Sequence, residues 1–185
     1  MTIKHTLING DYLQGMRGSR FDCTFADPVD NIGCKYNEYV DKKTPEAYTA
    51  WLRSFILDSL ECSETLWLSH NSRWSFAMGK IIDKMQQQWP WLDAKQCIQT
   101  FTFGQHNHHD LGNNHRPLIR LRHKNSPLYP DSIRVPSWRL KNGDKRADPR
   151  GCVPSDVFDF PRVTGNSKQR RKWHPTQLHE GLVER

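Results

Sequence analysis

A short apolar run that stops on an acidic residue and a proline, then a capped helical pattern, then a second apolar run, constrains this chain more than any other feature. The first run leads from Phe21 and Phe25 into Thr24-Phe25-Ala26-Asp27-Pro28-Val29-Asp30-Asn31-Ile32-Gly33. It reads as a buried strand that ends at Asp27, since strands covered on both faces need not alternate. Thr44 and Pro45 then mark a helix start, an N-cap followed by the residue best tolerated at the first helical position. Tyr48, Trp51, Leu52, Phe55, Ile56 and Leu60 recur at helical spacing, which predicts a helix from Pro45 to Leu60. Glu64–Ser69 is the second strand, and a strand–helix–strand succession makes the two strands parallel. That arrangement brings His70-Asn71-Ser72-Arg73 to the same edge as Asp27, beyond the carboxyl ends of the strands, where open α/β sheets bind ligands. Asp27 either acts on a ligand there or caps a turn that Pro28 stiffens.

The flanking segments extend the pattern. His5–Ile8 reads as a short strand that ends in the turn signal Asn9-Gly10-Asp11, and Tyr12–Met16 as one helical turn. Asn31–Tyr39 reads as a loop in which Tyr36 and Tyr39 either stack on a base or anchor the loop. Phe76–Trp89 predicts a helix that turns Met78, Ile81, Ile82 and Met85 toward the sheet. Ile98–Phe103 and Arg116–Lys124 read as further strands, the charges of the second facing either phosphate or solvent. Between them His106, His108, His109 and His115 invite a metal reading. No cysteine pairs with them and their Asn/Gly context is that of a surface loop, so no metal site is expected.

From residue 125 to 171 the chain is rich in turns, with a short strand expected within Val153–Pro161. Arg162, Lys168, Arg170, Arg171 and Lys172 then surround a Gly-Asn turn and form the best nucleic-acid contact in the sequence. The net charge of +7 favours a polyanionic partner without establishing one. At 185 residues the chain is long enough for one domain with a core and short for two. Mean hydropathy of −0.82 points to long surface loops. Five dispersed cysteines without a Cys-x-x-Cys pair argue for reduced thiols and a cytoplasmic setting. No stretch has the length to span a bilayer, so no membrane association is expected. Leu178–Arg185 predicts a helix with Leu182 and Val183 toward the core, and its end reads as a truncation or a boundary shared with another segment.

Two separated motifs carry a resemblance. Ala26-Asp27-Pro28-Val29-Asp30-Asn31-Ile32-Gly33 resembles the catalytic Asp-Pro-Pro-Tyr-Asn-Ile-Gly segment of the amino-group DNA methyltransferases, which modify adenine N6 or cytosine N4. Trp173-His174-Pro175-Thr176-Gln177, with Glu180 and Leu182–Arg185, resembles their His-Pro-Thr-Gln-Lys-Pro segment. Asn9-Gly10-Asp11 is similar to the start of such enzymes, and Asp156–Pro161 to the segment that often precedes the later motif. Their order is that of the subclass whose donor-binding glycine motif comes last.

The resemblance implies an α/β chain, an incomplete Rossmann-like methyltransferase sheet with helices packed on it and irregular basic loops. It divides into a catalytic part (1–124), an irregular basic target-recognition region (125–172) and the start of a cofactor-side helix (173–185). It further implies S-adenosylmethionine as methyl donor, held by Asn9, Asp11, Asp27, His174, Thr176 and Gln177. DNA is the implied partner, with one base flipped out and held by the catalytic stretch Asp27, Pro28, Val29 and Asp30. Tyr36, Tyr39, Arg162, Lys168, Arg170, Arg171 and Lys172 are the implied nucleic-acid contacts.

Three departures accompany it. Val29 stands at the family's second proline, and Asp30 at its aromatic, where a carboxylate cannot stack on a base. Leu178 and His179 replace the Lys-Pro of the later motif. The family's Phe-x-Gly-x-Gly loop has no counterpart in these 185 residues, so a second chain or a C-terminal extension is expected to supply it. A noncatalytic DNA-binding remnant and an RNA methyltransferase remain the alternative readings.

Overall fold

Two successive strand–helix–strand units decide where everything else goes. A computed structural model describes residues 6–36, 39–101, 107–174 and 176–184. In chain order it has α1 (Tyr12–Met16), β1 (Phe21–Ala26), α2 (Pro45–Cys62), β2 (Ser63–Ser69), a single 3-10 turn (Ser72–Trp74), α3 (Ser75–Gln88), β3 (Leu92–Thr100) and β4 (His115–His123). A second 3-10 turn (Pro130–Ile133), α4 (Trp138–Lys141), β5 (Val157–Asp159) and α5 (Glu180–Glu184) follow. The five strands form one mixed sheet in the order β1-β2-β4-β3-β5. β1 runs parallel to β2, β4 runs antiparallel to β2 and β3, and β5 runs parallel to β3.

Both helical crossovers step in the same direction across the sheet. Right-handed connections of that kind place both helices on one face. Accordingly α2 and α3 share one core: Tyr48, Leu52 and Ile56 from α2 and Met78 and Met85 from α3 pack on Leu66, Leu68, Ile119 and Leu121 of the sheet. The alternate residues of the same strands, Trp67, Cys97 and Leu118, point to the other face. There they meet Phe158 of β5 and Leu182 of α5. That face is thinly covered and keeps a cavity of about 520 Å³ lined in part by Phe25, Trp67, Cys97 and Leu118.

Thr44 caps α2 through its hydroxyl, which accepts from the Ala47 amide at 3.3 Å, with Pro45 in the first turn as its sequence announces. α1 is the expected single turn, capped by the Asp11 carboxylate on the Leu13 amide. Among the described residues no helix is long and apolar enough to cross a membrane.

Several expectations need correction. No strand forms over Thr6–Ile8, where Leu7 is fully exposed and Ile8 lies against Gly15 of α1 instead of against the sheet; His5 lies outside the described residues. The strand expected over Ile98–Phe103 is β3, which begins at Leu92 and ends at Thr100. Its first half is masked in sequence by Asp93 and Lys95, which form ion pairs with Arg122 and Asp156. Thr102, Phe103 and His106 lie outside the described residues. The helix expected over Leu178–Arg185 is only α5, with Leu182 buried and Val183 half-exposed at its edge. The strand within Val153–Pro161 shortens to β5, since Pro154 and Pro161 cannot donate to a ladder. The charges of Arg116–Lys124 do not simply face phosphate or solvent. Arg120 and Arg122 share Asp93, and Arg116 turns to the end of β1.

Candidate active site

The reversed direction of β4 builds the site. Its amino end lies at the edge where β1 and β2 finish, so Arg116 arrives beside the residues that follow β1. The Arg116 guanidinium donates to the Asp27 carboxylate at 2.7 Å, to both oxygens of Asp30 at 3.0 Å each, and through Nε to the Ser69 hydroxyl at 2.6 Å. The paired side chains are mostly buried, Arg116 being 20% exposed, Asp27 23% and Asp30 10%.

The turn after β1 is held from three sides. The Tyr48 hydroxyl of α2 donates to the Val29 carbonyl at 2.6 Å, and the Trp74 indole N–H donates to the Asp30 carbonyl at 2.7 Å. The buried carboxylate of Asp41 accepts from the amides of Asn31 at 2.8 Å and Ile32 at 3.2 Å. Asn31 adopts a positive φ of 53°, a conformation that asparagine tolerates better than most residues, and clasps Lys43 through both ends of its amide. Gly33 follows at φ 78°, in the region where a side chain would be strained.

Burial is the main influence on the Asp27 carboxyl and pushes it above the ordinary range, against the pull of Arg116 and Ser69. Burial lowers the Arg116 cation's affinity for its proton, but the two carboxylates outweigh this and leave it raised. His70, buried at the end of β2, is pushed down by burial, so its neutral form is favoured.

Two cavities of about 340 Å³ each meet at this turn. One is lined by Asp27, Pro28, Val29, Tyr36 and His174; the other by Asn71, Gln99, Arg162, Gln177 and His179. Asp30, Arg116, Thr176 and Leu178 belong to both and form the wall between them.

The early and late motifs, about 140 residues apart, therefore meet. Tyr36 and Thr176 share a hydrogen bond at 3.3 Å. Gln177 accepts from the Arg171 amide at 2.8 Å and donates to the Gln169 carbonyl at 2.7 Å, so it fastens the basic loop. Pro175 lies outside the described residues. Arg162 is at the rim, over the Phe101 ring at 5.5 Å. Lys168, Arg171 and Lys172 are exposed, Arg170 is half-buried, and Tyr39 is exposed with its ring edge toward Tyr36. Asn9 and Asp11 are not brought to these cavities: α1 docks on the later half of α2, with the Tyr12 hydroxyl donating to Asp58 at 2.8 Å. Among the described residues no group of three His, Cys, Asp or Glu could hold a metal ion.

No family model matches the chain. Two curated relatives align with 97% of it. The type II methyltransferase M.ScaI of Streptomyces caespitosus is 25% identical over 197 residues, covering 64% of that protein. The DNA adenine methyltransferase YhdJ of Escherichia coli strain K12 is 27% identical over 207 residues, covering 65% of that protein. The chain is similar to DNA methyltransferases. It spans a little under two thirds of the length of these curated relatives.

Arg116, Ser69, Tyr48, Trp74 and Asp41 were not singled out by sequence reasoning. Only Arg116 carried a signal, the even-numbered series Arg116, Arg120, Arg122 on one strand face, and its partners lie 86 and 89 positions away.

Proposed function

We propose that this chain is the catalytic and DNA-facing part of a DNA amino-methyltransferase that acts on adenine N6 or cytosine N4 of an extruded base. The observation that carries this reading is the meeting of Asp27, Tyr36, His174 and Thr176 around one cavity from two motifs far apart in sequence. The sheet is then an incomplete Rossmann-like methyltransferase sheet. Residues 1–124 are its catalytic part, 125–172 its target-recognition region and 173–185 its cofactor-side start. A C-terminal extension or a second chain supplies the donor-binding glycine loop.

The chain's own residues fit S-adenosylmethionine at its charged end. Asp27 and Asp30 outnumber Arg116 in the cavity wall, which suits a cationic sulfonium. The His174 Nδ1 is buried without a partner among the described residues and is available to a ligand. When bound, the donor supplies an electrophilic methyl group. The Asp27 carboxylate and the Pro28 carbonyl accept hydrogen bonds from the exocyclic amine, since the Val29 and Asp30 carbonyls are already engaged by Tyr48 and Trp74. The amine nitrogen would take up that methyl group and would have to give up one of its protons. Asp27, whose carboxyl is raised by burial, holds the proton the amine gives up. Arg162, Lys168, Arg170, Arg171 and Lys172 hold phosphate.

Transfer of radiolabelled methyl from S-adenosylmethionine to mixed-sequence duplex DNA tests the reading, with this chain, a longer form of it, and Asp27→Ala. Label that depends on Asp27 supports it. DNA retention without label in either form would favour a DNA-binding remnant, the reading to which the occupation of Asp27 by Arg116 lends weight. Preferential labelling of RNA would reassign the substrate.

A further inference from the structure

The Arg116 guanidinium is largely engaged around its edge. A guanidinium carries five N–H groups in one plane, and four of them already point at Ser69, at both oxygens of Asp30 and at Asp27. The paired 3.0 Å bonds to Asp30 are the fork-on-fork arrangement, which holds guanidinium and carboxylate in a common plane. A cation engaged in this way has little left to offer a phosphate through its edge, which leaves its flat face for the two cavities that Arg116 lines. The Asp27 carboxylate meets the rim of this plane through a single oxygen, Oδ1.

This plane lies between the two cavities, with Thr176 and Leu178 as its neighbours in the wall. Phe25, Pro28 and Tyr36 also line the Asp27 cavity. Arginine planes stack on nucleobases as aromatic rings do, because both offer a flat, weakly hydrated surface. Asp30 occupies the one position of the catalytic stretch where the related motif has an aromatic, and it is the residue that forks with Arg116.

We infer that the Arg116 guanidinium, held flat by its fork with Asp30, is the stacking surface for the extruded base, standing where the related motif has a ring. The ligand class is a purine or pyrimidine with an exocyclic amine, presented face-on to the guanidinium and edge-on to Asp27. The inference rests on the methyltransferase reading for the extruded base, but its test is independent of methyl transfer.

The probes are free adenosine and cytidine, titrated into the full chain labelled with nitrogen-15 and carbon-13. The Arg116 Nε–Hε resonance is assigned through its own side-chain carbons, so unsubstituted protein alone decides the question. Stacking places Hε over the ring and moves its resonance upfield as nucleoside is added. Arg116→Lys, which keeps the charge and loses the plane, is expected to weaken nucleoside binding about tenfold. Nucleoside binding that moves the amides of Asp27, Val29 and Asp30 while Arg116 Hε stays still or shifts downfield would overturn the inference and leave the methyltransferase reading intact. Methyl transfer to DNA with no nucleoside binding at all would overturn it as well. Stacking on Arg116 with no methyl transfer by any form would uphold it and sink the methyltransferase reading.

Discussion

Replacing Arg116 by methionine removes the only cation in contact with two mostly buried carboxylates among the described residues, and the cost follows from that geometry. Three charge-assisted bonds at 2.7–3.0 Å and one to Ser69 at 2.6 Å disappear, and Asp27 and Asp30 are left facing each other. Breaking a buried pair by removing one partner costs roughly 3–5 kcal/mol, and residual exposure of these side chains argues for the low end, about 3 kcal/mol at pH 7. With a urea dependence of about 2 kcal/mol per molar, the unfolding midpoint falls by about 1.5 M.

The sign of the pH dependence is fixed by the direction of the Asp27 shift. Its folded pKa is raised, so its favourable contribution is complete below the unfolded value of 3.8 and is lost as pH rises through the folded value. Without Arg116 the upward push on Asp27 is stronger, the penalty at neutral pH is larger, and it falls away as the Asp27 carboxyl is protonated. The gap between Arg116→Met and unsubstituted protein therefore narrows from pH 7 toward pH 4. Urea titrations at several pH values, followed by tryptophan fluorescence, measure it. A midpoint shift below about 0.3 M at pH 7, well short of the buried-pair cost, would refute the reasoning. A gap of equal size at pH 7 and pH 4 would refute it too. Adding Asp27→Asn and Asp30→Asn to Arg116→Met should recover roughly half the loss or more, because no unpaired charge then remains.

Tyr48→Phe strands the Val29 carbonyl in a part-buried place and should cost about 1 kcal/mol in urea unfolding while leaving the secondary structure unchanged. Asn31→Ala loses the clasp on Lys43 and puts at positive φ a residue that tolerates it less well than asparagine, for about 2 kcal/mol by thermal unfolding; Asn31→Gly should cost less, since it relieves the backbone part. His70 has a lowered folded pKa, so its contribution is present above 6.5 and is lost as pH falls through the folded value. His70→Gln should therefore remove part of the stability loss between pH 7 and pH 5, read as the difference between the two urea profiles.

The elements legible in sequence are those whose signals are local. Thr44-Pro45 and the spacing of Tyr48, Leu52 and Ile56 announce α2, and Met78, Ile81, Ile82 and Met85 announce α3, because each pattern reports one face turned to the core. β1 and β2 were legible together, since the helix between them requires a parallel pair. β3 was half hidden: its outward positions carry Asp93 and Lys95, and charges there look like solvent exposure until their ion-pair partners are known. Asp30 looked like a carboxylate unable to stack on a base, yet it is buried beneath a cation that arrives from the central strand of the sheet.

The sequence by itself determined a parallel strand–helix–strand start, a turn at Asp27-Pro28 that must leave the sheet, and a late His-Pro-Thr-Gln stretch of matching kind. Its hydrophobic periods and caps act over a few residues, and that is all they need to specify. Tertiary structure alone decided that β4 inserts antiparallel between β2 and β3, for strand order is set by how whole crossovers pack and no local signal encodes it. That single reversal carries Arg116 to Asp27 and Asp30 and makes the pair the wall between two cavities.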